Sequence, residues 1–324
     1  MRRIALPLVL FCFLVGMLLE FTGCGDSPSS PDPPPPVTTT TTAPVEPPFN
    51  PGPSFQWAGS RGILVFAGTQ ATEGEIVSLD SRLRSMGWPT PVYHVCSEVA
   101  RWEGTPWADG PEPFSDENIE NLNRFLKTTA ELGSHVLLDV FCTVRDAPNW
   151  IANNGEQYAR TVGEIISKYN HVAVHVANEP WHPSSVFRNT SLLRTMRDAI
   201  RQGGFQGEIG ADDNAGRRGD TRYNGDYRAL GFWPDFHPWR EKDGEDFVPR
   251  TADLRDMRDR NPWGRVVISE PIAYSEWRGG GCCTDNRNLV TQYMRETENL
   301  DMIWTYHSTD GLEWPTKSFG WIPQ

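Results

Sequence analysis

Short apolar runs rich in β-branched residues alternate with longer mixed stretches along most of the chain. The runs lie at 62–67, 92–96, 135–142, 172–177, 208–211, 232–237, 266–269 and 302–306. Near-continuous apolar runs of this length predict strands covered on both faces, as in parallel sheets. Between them, apolar residues recur at helical spacing over 73–86, 116–132, 156–169, 191–202, 252–260 and 286–300. Ser115 is placed to cap the second of these helices, and Gly133 follows its end. Repeated strand-then-helix order predicts parallel strands joined by crossover helices, and eight such strands predict closure into a (β/α)8 TIM barrel. The pattern is thinnest between the fifth and sixth strands, where Gly, Arg and Asp dominate. After the eighth strand little chain remains for a helix. A doubly wound open sheet is the alternative, although no Gly-x-Gly-x-x-Gly follows the first strand, as its nucleotide-binding form requires.

The alternation is absent from the first part of the chain. Arg2 and Arg3 precede an almost wholly apolar run over 4–19, too short to favour a permanent membrane span. The segment 1–23 reads as an export signal. It ends in Phe21-Thr22-Gly23-Cys24, which resembles a bacterial lipobox and makes Cys24 the expected site of lipidation. Residues 24–53 contain four consecutive prolines and a threonine run. They have almost nothing apolar to bury, so they are expected to form a disordered tether. The folded domain is then 54–324, about the length a single barrel of this kind needs. These features place the protein in the bacterial cell envelope, lipid-anchored, or secreted.

Composition narrows the partners. A net charge of −12 argues against nucleic acid. Cys96, Cys142, Cys282 and Cys283 lie in the folded part, and an exported protein meets oxidising conditions. Four cysteines allow three full pairings, and the sequence does not choose among them. Their spacing is not that of a structural zinc site. No cofactor is called for, and a monomer is expected. Thirteen tryptophans are many for 324 residues, and several, Trp102, Trp107, Trp181 and Trp239 among them, follow expected strand ends. Flat, amphipathic indoles suit the apolar faces of sugar rings.

In a barrel, functional residues gather at the carboxyl ends of the strands. Two expected strands end in a glutamate followed by proline: the fourth in Asn178-Glu179-Pro180-Trp181, the seventh in Glu270-Pro271. Proline stops the strand ladder and leaves each carboxylate at the rim. A charge at the end of a buried strand is costly without a partner or a task. A pair of carboxyl groups suits glycoside hydrolysis, in which one protonates the leaving oxygen and the other attacks the sugar or activates water.

The Asn-Glu-Pro closing the fourth strand, with a second Glu closing the seventh, resembles the clan A glycoside hydrolases, and within them the cellulase and mannanase type called family five. The resemblance implies Glu179 as general acid/base, Glu270 as nucleophile and Asn178 as a ligand of the sugar 2-hydroxyl. It implies retention of anomeric configuration. It also implies that His237 and Trp239, after the sixth strand, line the site and that Trp304 on the eighth forms a sugar platform. Trp181 and Asp139 are further candidates for contact with substrate. His94 and His175 are expected to pack in or near the barrel interior. The arginine and the histidine pair usual in family five after the second and third strands have no counterpart, although Arg101 could reach the site and Glu98 adds a rim carboxylate. The reading is a retaining glycosidase acting on a β-linked glucan or mannan. A non-catalytic glycan-binding lipoprotein is the alternative. A metal-dependent barrel hydrolase ranks last, since no His-x-His pair stands at a strand end.

Overall fold

A computed structural model describes residues 57, 60–97, 115–142, 148–182, 185–214, 224–237, 242–243, 246–247, 251–260, 266–269, 273–274 and 283–324. The side chains of 148, 214, 242–243, 246–247, 251, 273, 283–284, 309 and 313 are not among them. The expected signal, Cys24 and the tether lie outside the described residues. So do Glu98, Arg101, Trp239 and Glu270.

Eight parallel strands close into a barrel. They are β1 (Arg61–Leu64), β2 (Pro91–Cys96), β3 (His135–Phe141), β4 (Val172–Ala177), β5 (Ile209–Asn214), β6 (Trp233–His237), β7 (Val267–Ile268) and β8 (Ile303–Tyr306). Each pairs with its neighbour in sequence, and β8 returns to β1 with Arg61 opposite Trp304. The open-sheet alternative is thereby excluded. Around the ring run α1 (Glu73–Ser85), α2 (Asp116–Glu131), α3 (Pro148–Ile166), α4 (Thr190–Gln202), α5 (Gly225–Ala229), α6 (Thr251–Arg260), α7 (Arg287–Glu298) and α8 (Thr309–Glu313).

Local chemistry sets these elements. Thr72 caps α1 through a reciprocal box with Glu75. Ser115 caps α2 as expected, and Gly133, at φ +66°, takes the left-handed turn that ends it. Helices α3 and α4 pack very closely because Gly163 and Gly203 lack side chains. A Cβ on Gly163 would lie 2.3 Å from the Ile200 carbonyl oxygen. Several elements differ from expectation, among them the short helix α5, which lies where the pattern was thinnest. α3 begins earlier than the sequence pattern suggested, at Pro148, and the short helix α8 follows the eighth strand where little room was foreseen.

The main core lies between the strands and the helices and includes Ile63, Val95, Leu138, Val174, Ile268 and Trp304. A second core fills the floor of the barrel, where Val92, Leu137, Ala173, Trp233, Val267 and Ile303 meet Trp57. Trp57 stacks on His135 with ring centroids 5.1 Å apart. At the opposite rim, a Cys96–Cys142 disulfide ties the end of β2 to the residue after β3. It settles the pairing of these two cysteines that the sequence left open. Among the described residues no helix is long and apolar enough to cross a membrane.

Candidate active site

Side chains alternate in and out along a strand, so residues two apart share a face. Two positions beyond each floor residue stand His94, Asp139, His175, Asp235, Ser269 and Thr305, all fully buried. Asp212 of β5 joins them, also fully buried. The barrel thus holds a polar layer directly above its apolar floor. Burying polar and charged groups is costly unless each meets a partner.

The charged members face one another, whereas the Ser269 and Thr305 hydroxyls have no hydrogen-bond partner among the described residues. His94 Nε2 lies 2.8 Å from Asp139 Oδ2. His175 Nδ1 lies 3.0 Å from Asp139 Oδ1 and 2.9 Å from Asp212 Oδ1. His175 Nε2 lies 3.1 Å from Asp235 Oδ2. A neutral imidazole carries one proton, so a ring with carboxylates at both nitrogens favours the imidazolium. Burial alone would lower the pKa of His175. The carboxylates of Asp212 and Asp235, with hydrogen bonds to Asp139 and Asp212, hold it well above the usual imidazole value instead. Asp212 shows the converse: burial favours its neutral form, but His175 and His237 keep its pKa far below the ordinary carboxylate range. Burial lifts Asp235 to about 7, with Asp212 adding to the rise and His175 opposing it. Asp235 also accepts the Ser269 backbone N–H at 3.0 Å.

Two groups in this layer have donor atoms within 4.8 Å of one another and could hold a metal ion: His94, Asp139 and His175, and His175, Asp212 and Asp235. In both, His175 nitrogens already face carboxylates. A metal there would have to displace a proton that supplies the same positive charge.

Above the polar layer, β4 ends in the expected rim residues. Asn178 is buried, and its side-chain oxygen has no partner among the described residues. Glu179 adopts φ 47°, the left-handed region, immediately before Pro180. Non-glycine residues rarely occupy that region, and a following proline restricts the backbone further. Strain of this kind amounts to about 1–3 kcal/mol and persists only where the surroundings enforce it. Asp212 Oδ2 accepts the Glu179 backbone N–H at 3.1 Å. The Glu179 side chain is 16% exposed, and its Oε1 lies 3.8 Å from Nδ1 of His237. His237 in turn places Nε2 3.2 Å from Asp212 Oδ2. Trp181 stands edge-on to the His237 ring, centroids 6.2 Å apart, and its indole N–H has no partner among the described residues.

The structure therefore brings Asn178, Glu179, Trp181 and His237 together at one rim. Asp139 lies beneath them, fully buried between two histidines, where it supports the layer and cannot touch a sugar. Trp304 is a correction. It is fully buried in the helix-facing core beside Tyr306, whereas Thr305 and His307 hold the opposite strand parity. An indole sealed there offers no face to a ligand. His94 and His175 occupy the interior as expected. The sequence reading missed Asp212 and Asp235. The signal was available as two-residue alternation from Trp233 to Asp235 to His237. For β5 the expected strand stopped at Ala211, whereas it runs on through the acidic pair to Asn214.

No family model matches the sequence, and no curated protein matches it. Solved structures do match the fold. A family 5 glycoside hydrolase from Bacteroides vulgatus superposes with TM-score 0.52 at 12% identity, covering 79% of this chain and 59% of that one. The catalytic domain of an endoglucanase from Thermobifida fusca gives 0.51 at 14% identity, covering 78% and 79%. An endo-1,4-β-mannanase from Rhizomucor miehei gives 0.53 at 12% identity, covering 76% and 85%. The chain thus spans about three-fifths of the length of the Bacteroides protein. At such identities the likeness establishes a shared barrel fold.

Proposed function

We propose that the protein is a retaining glycoside hydrolase acting on a β-linked glucan or mannan. The observation that carries the proposal is Glu179. It sits on the rim at the end of β4, with its backbone held in a strained conformation by a buried carboxylate and its side chain beside His237. Strain enforced at a strand end marks a functional position. In this reading Glu179 protonates the departing glycosidic oxygen, and Glu270 attacks the anomeric carbon to form a glycosyl–enzyme ester. Water activated by Glu179 then releases the sugar with retention. Asn178 bonds the 2-hydroxyl, and Trp181 offers an indole edge beside the reacting sugar. What supports the substrate class is the fold shared with an endoglucanase and an endo-1,4-β-mannanase. The N-terminal signal, with lipidation at Cys24 and the tether over 24–53, fits a monomeric enzyme displayed from a bacterial envelope onto external polymer.

The test is an assay of wild type, Glu179→Gln and Glu270→Gln on β-glucans and mannans. Wild type releases reducing sugar. Each variant loses activity, Glu179→Gln by about 10²–10⁴-fold, the usual worth of general acid–base catalysis. Wild type inert across the panel, or Glu270→Gln fully active, refutes the reading. A wild type that binds these polymers without cleaving them identifies a glycan-binding lipoprotein instead.

A further inference from the structure

Asp212 belongs to the buried polar layer, yet it reaches the rim twice. Its Oδ2 accepts the Glu179 backbone N–H at 3.1 Å and lies 3.2 Å from His237 Nε2. The same imidazole turns its other nitrogen toward Glu179 Oε1, 3.8 Å away. From below, His175 Nδ1 stands 2.9 Å from Asp212 Oδ1. We propose that Asp212 is the positioning residue of Glu179, fixing its backbone directly and its carboxyl group through His237. The proposal rests on the acid/base role assigned to Glu179 above.

The physical case has three steps. Glu179 at φ 47° before Pro180 is strained, so something must hold it. A hydrogen bond from an N–H to an ionised carboxylate is stronger than one to a neutral acceptor. Asp212 remains ionised although fully buried, because His175 and His237 flank it. His237 places Nε2 3.2 Å from Asp212 Oδ2 and Nδ1 3.8 Å from the Glu179 carboxyl, so the Asp212 charge favours a proton on Nε2 and sets the ring between the two carboxyl groups. An acid that must deliver its proton to one glycosidic oxygen gains from having both its backbone and its side chain fixed before substrate arrives.

The next residue supplies a control. Asp213 is adjacent in sequence but opposite in strand parity. It accepts the backbone N–H of Asn224, the N-cap of α5, at 2.6 Å. The acidic pair is thus divided, one member serving the rim and the other anchoring the start of a helix.

The experiment compares Asp212→Asn, Asp212→Glu, His237→Gln and Asp213→Asn in the full chain, with two readouts. The first is hydrogen exchange at the Glu179 amide, followed by NMR in protein labelled with ¹⁵N-glutamate. It is expected to quicken at least about tenfold in Asp212→Asn and to stay slow in His237→Gln and Asp213→Asn. The second is kcat/KM on a β-glycan compared with a dinitrophenyl glycoside, whose leaving group needs no proton. Asp212→Asn and His237→Gln are expected to lose about 10–100-fold on the glycan and under about threefold on the aryl glycoside. Asp212→Glu recovers part of the glycan activity, and Asp213→Asn matches wild type on both substrates. The proposal is overturned if folded Asp212→Asn keeps the Glu179 amide protected, or loses kcat/KM equally on both substrates. Should Asp212→Asn not fold, His237→Gln and Asp212→Glu carry the leaving-group comparison. If wild type cleaves neither substrate, the acid/base assignment falls, and amide exchange still decides whether Asp212 holds Glu179.

Discussion

Val92 and His94 share a strand and a face, as do Leu137 and Asp139, Ala173 and His175, Trp233 and Asp235, Val267 and Ser269, and Ile303 and Thr305. The first member of each pair lies in the apolar floor and the second in the buried polar layer. Backbone geometry is common to the two rings, so the side chains alone make the difference. The floor gains by excluding water and has no directional demand. The polar layer must satisfy every charge it buries, and its net worth depends on pairing. Among the described residues it is the upper ring that touches the rim, through Asp212 to Glu179 and His237. The contrast teaches that one barrel can keep stability and chemistry in separate tiers of the same strands.

The sharpest way to break the contrast is Asp139→Ala. It strips His94 and His175 of a shared carboxylate inside a sealed layer. Removing one partner of a buried ion pair costs about 3–5 kcal/mol, and the loss of order should propagate through His175 to Asp212. Chemical denaturation and turnover per folded molecule are the measurements, and both are expected to fall. A variant as stable and as active as wild type would mean that the layer is not coupled as its distances imply.

Leu137→Ala, two residues earlier, tests the floor. A truncated buried leucine costs about 2–5 kcal/mol through lost transfer energy and a cavity. The midpoint of denaturation should drop, while kcat per folded molecule stays at the wild-type value. A large fall in kcat here would dissolve the division between tiers.

The two tiers were not equally legible in the sequence. The floor and the helix-facing core are apolar, with Val, Ile and Leu prominent along the strands, and apolar runs reveal them directly. The eight strands follow from those runs, with β4 foreseen residue for residue and most other ends within one or two positions. The polar layer interrupts the runs, so it reads as their boundary. Asp212 and Asp213 look like the start of a loop because isolated acidic residues seldom lie in a core. What places Asp212 inside is pairing with histidines on neighbouring strands, a long-range fact no local window contains. Trp304 failed for a related reason. Its residue type suited a sugar platform, but strand parity assigns Thr305 and His307 to the inner face and the indole to the helices. Glu179, Asn178, Trp181 and His237 were readable because proline and strand end coincide at a rim.

The smallest expected effect separates the tiers by pH. Asp235 has its pKa raised to about 7 in the folded protein by burial, against about 4 in the unfolded chain. A group with a raised folded pKa stabilises fully below its unfolded value, and that stability is lost as pH rises through the folded one. His171 acts in the opposite sense. Burial lowers it to about 4, so its contribution is present above pH 6.5 and is lost as pH falls toward 4. The two largely cancel in wild type between pH 4 and 6.5, and a single melting curve would hide both. Asp235→Asn isolates one of them, because an amide has no proton to lose. The Tm difference between variant and wild type should shift in the variant's favour from pH 5 to pH 8. Its expected size is about 1–3 kcal/mol, or roughly 2–4 °C for each kcal/mol. Leu137→Ala, in the floor, should show a Tm offset independent of pH. A constant offset for Asp235→Asn as well would mean that its carboxyl group titrates as if exposed, and that the layer above the floor is open to water.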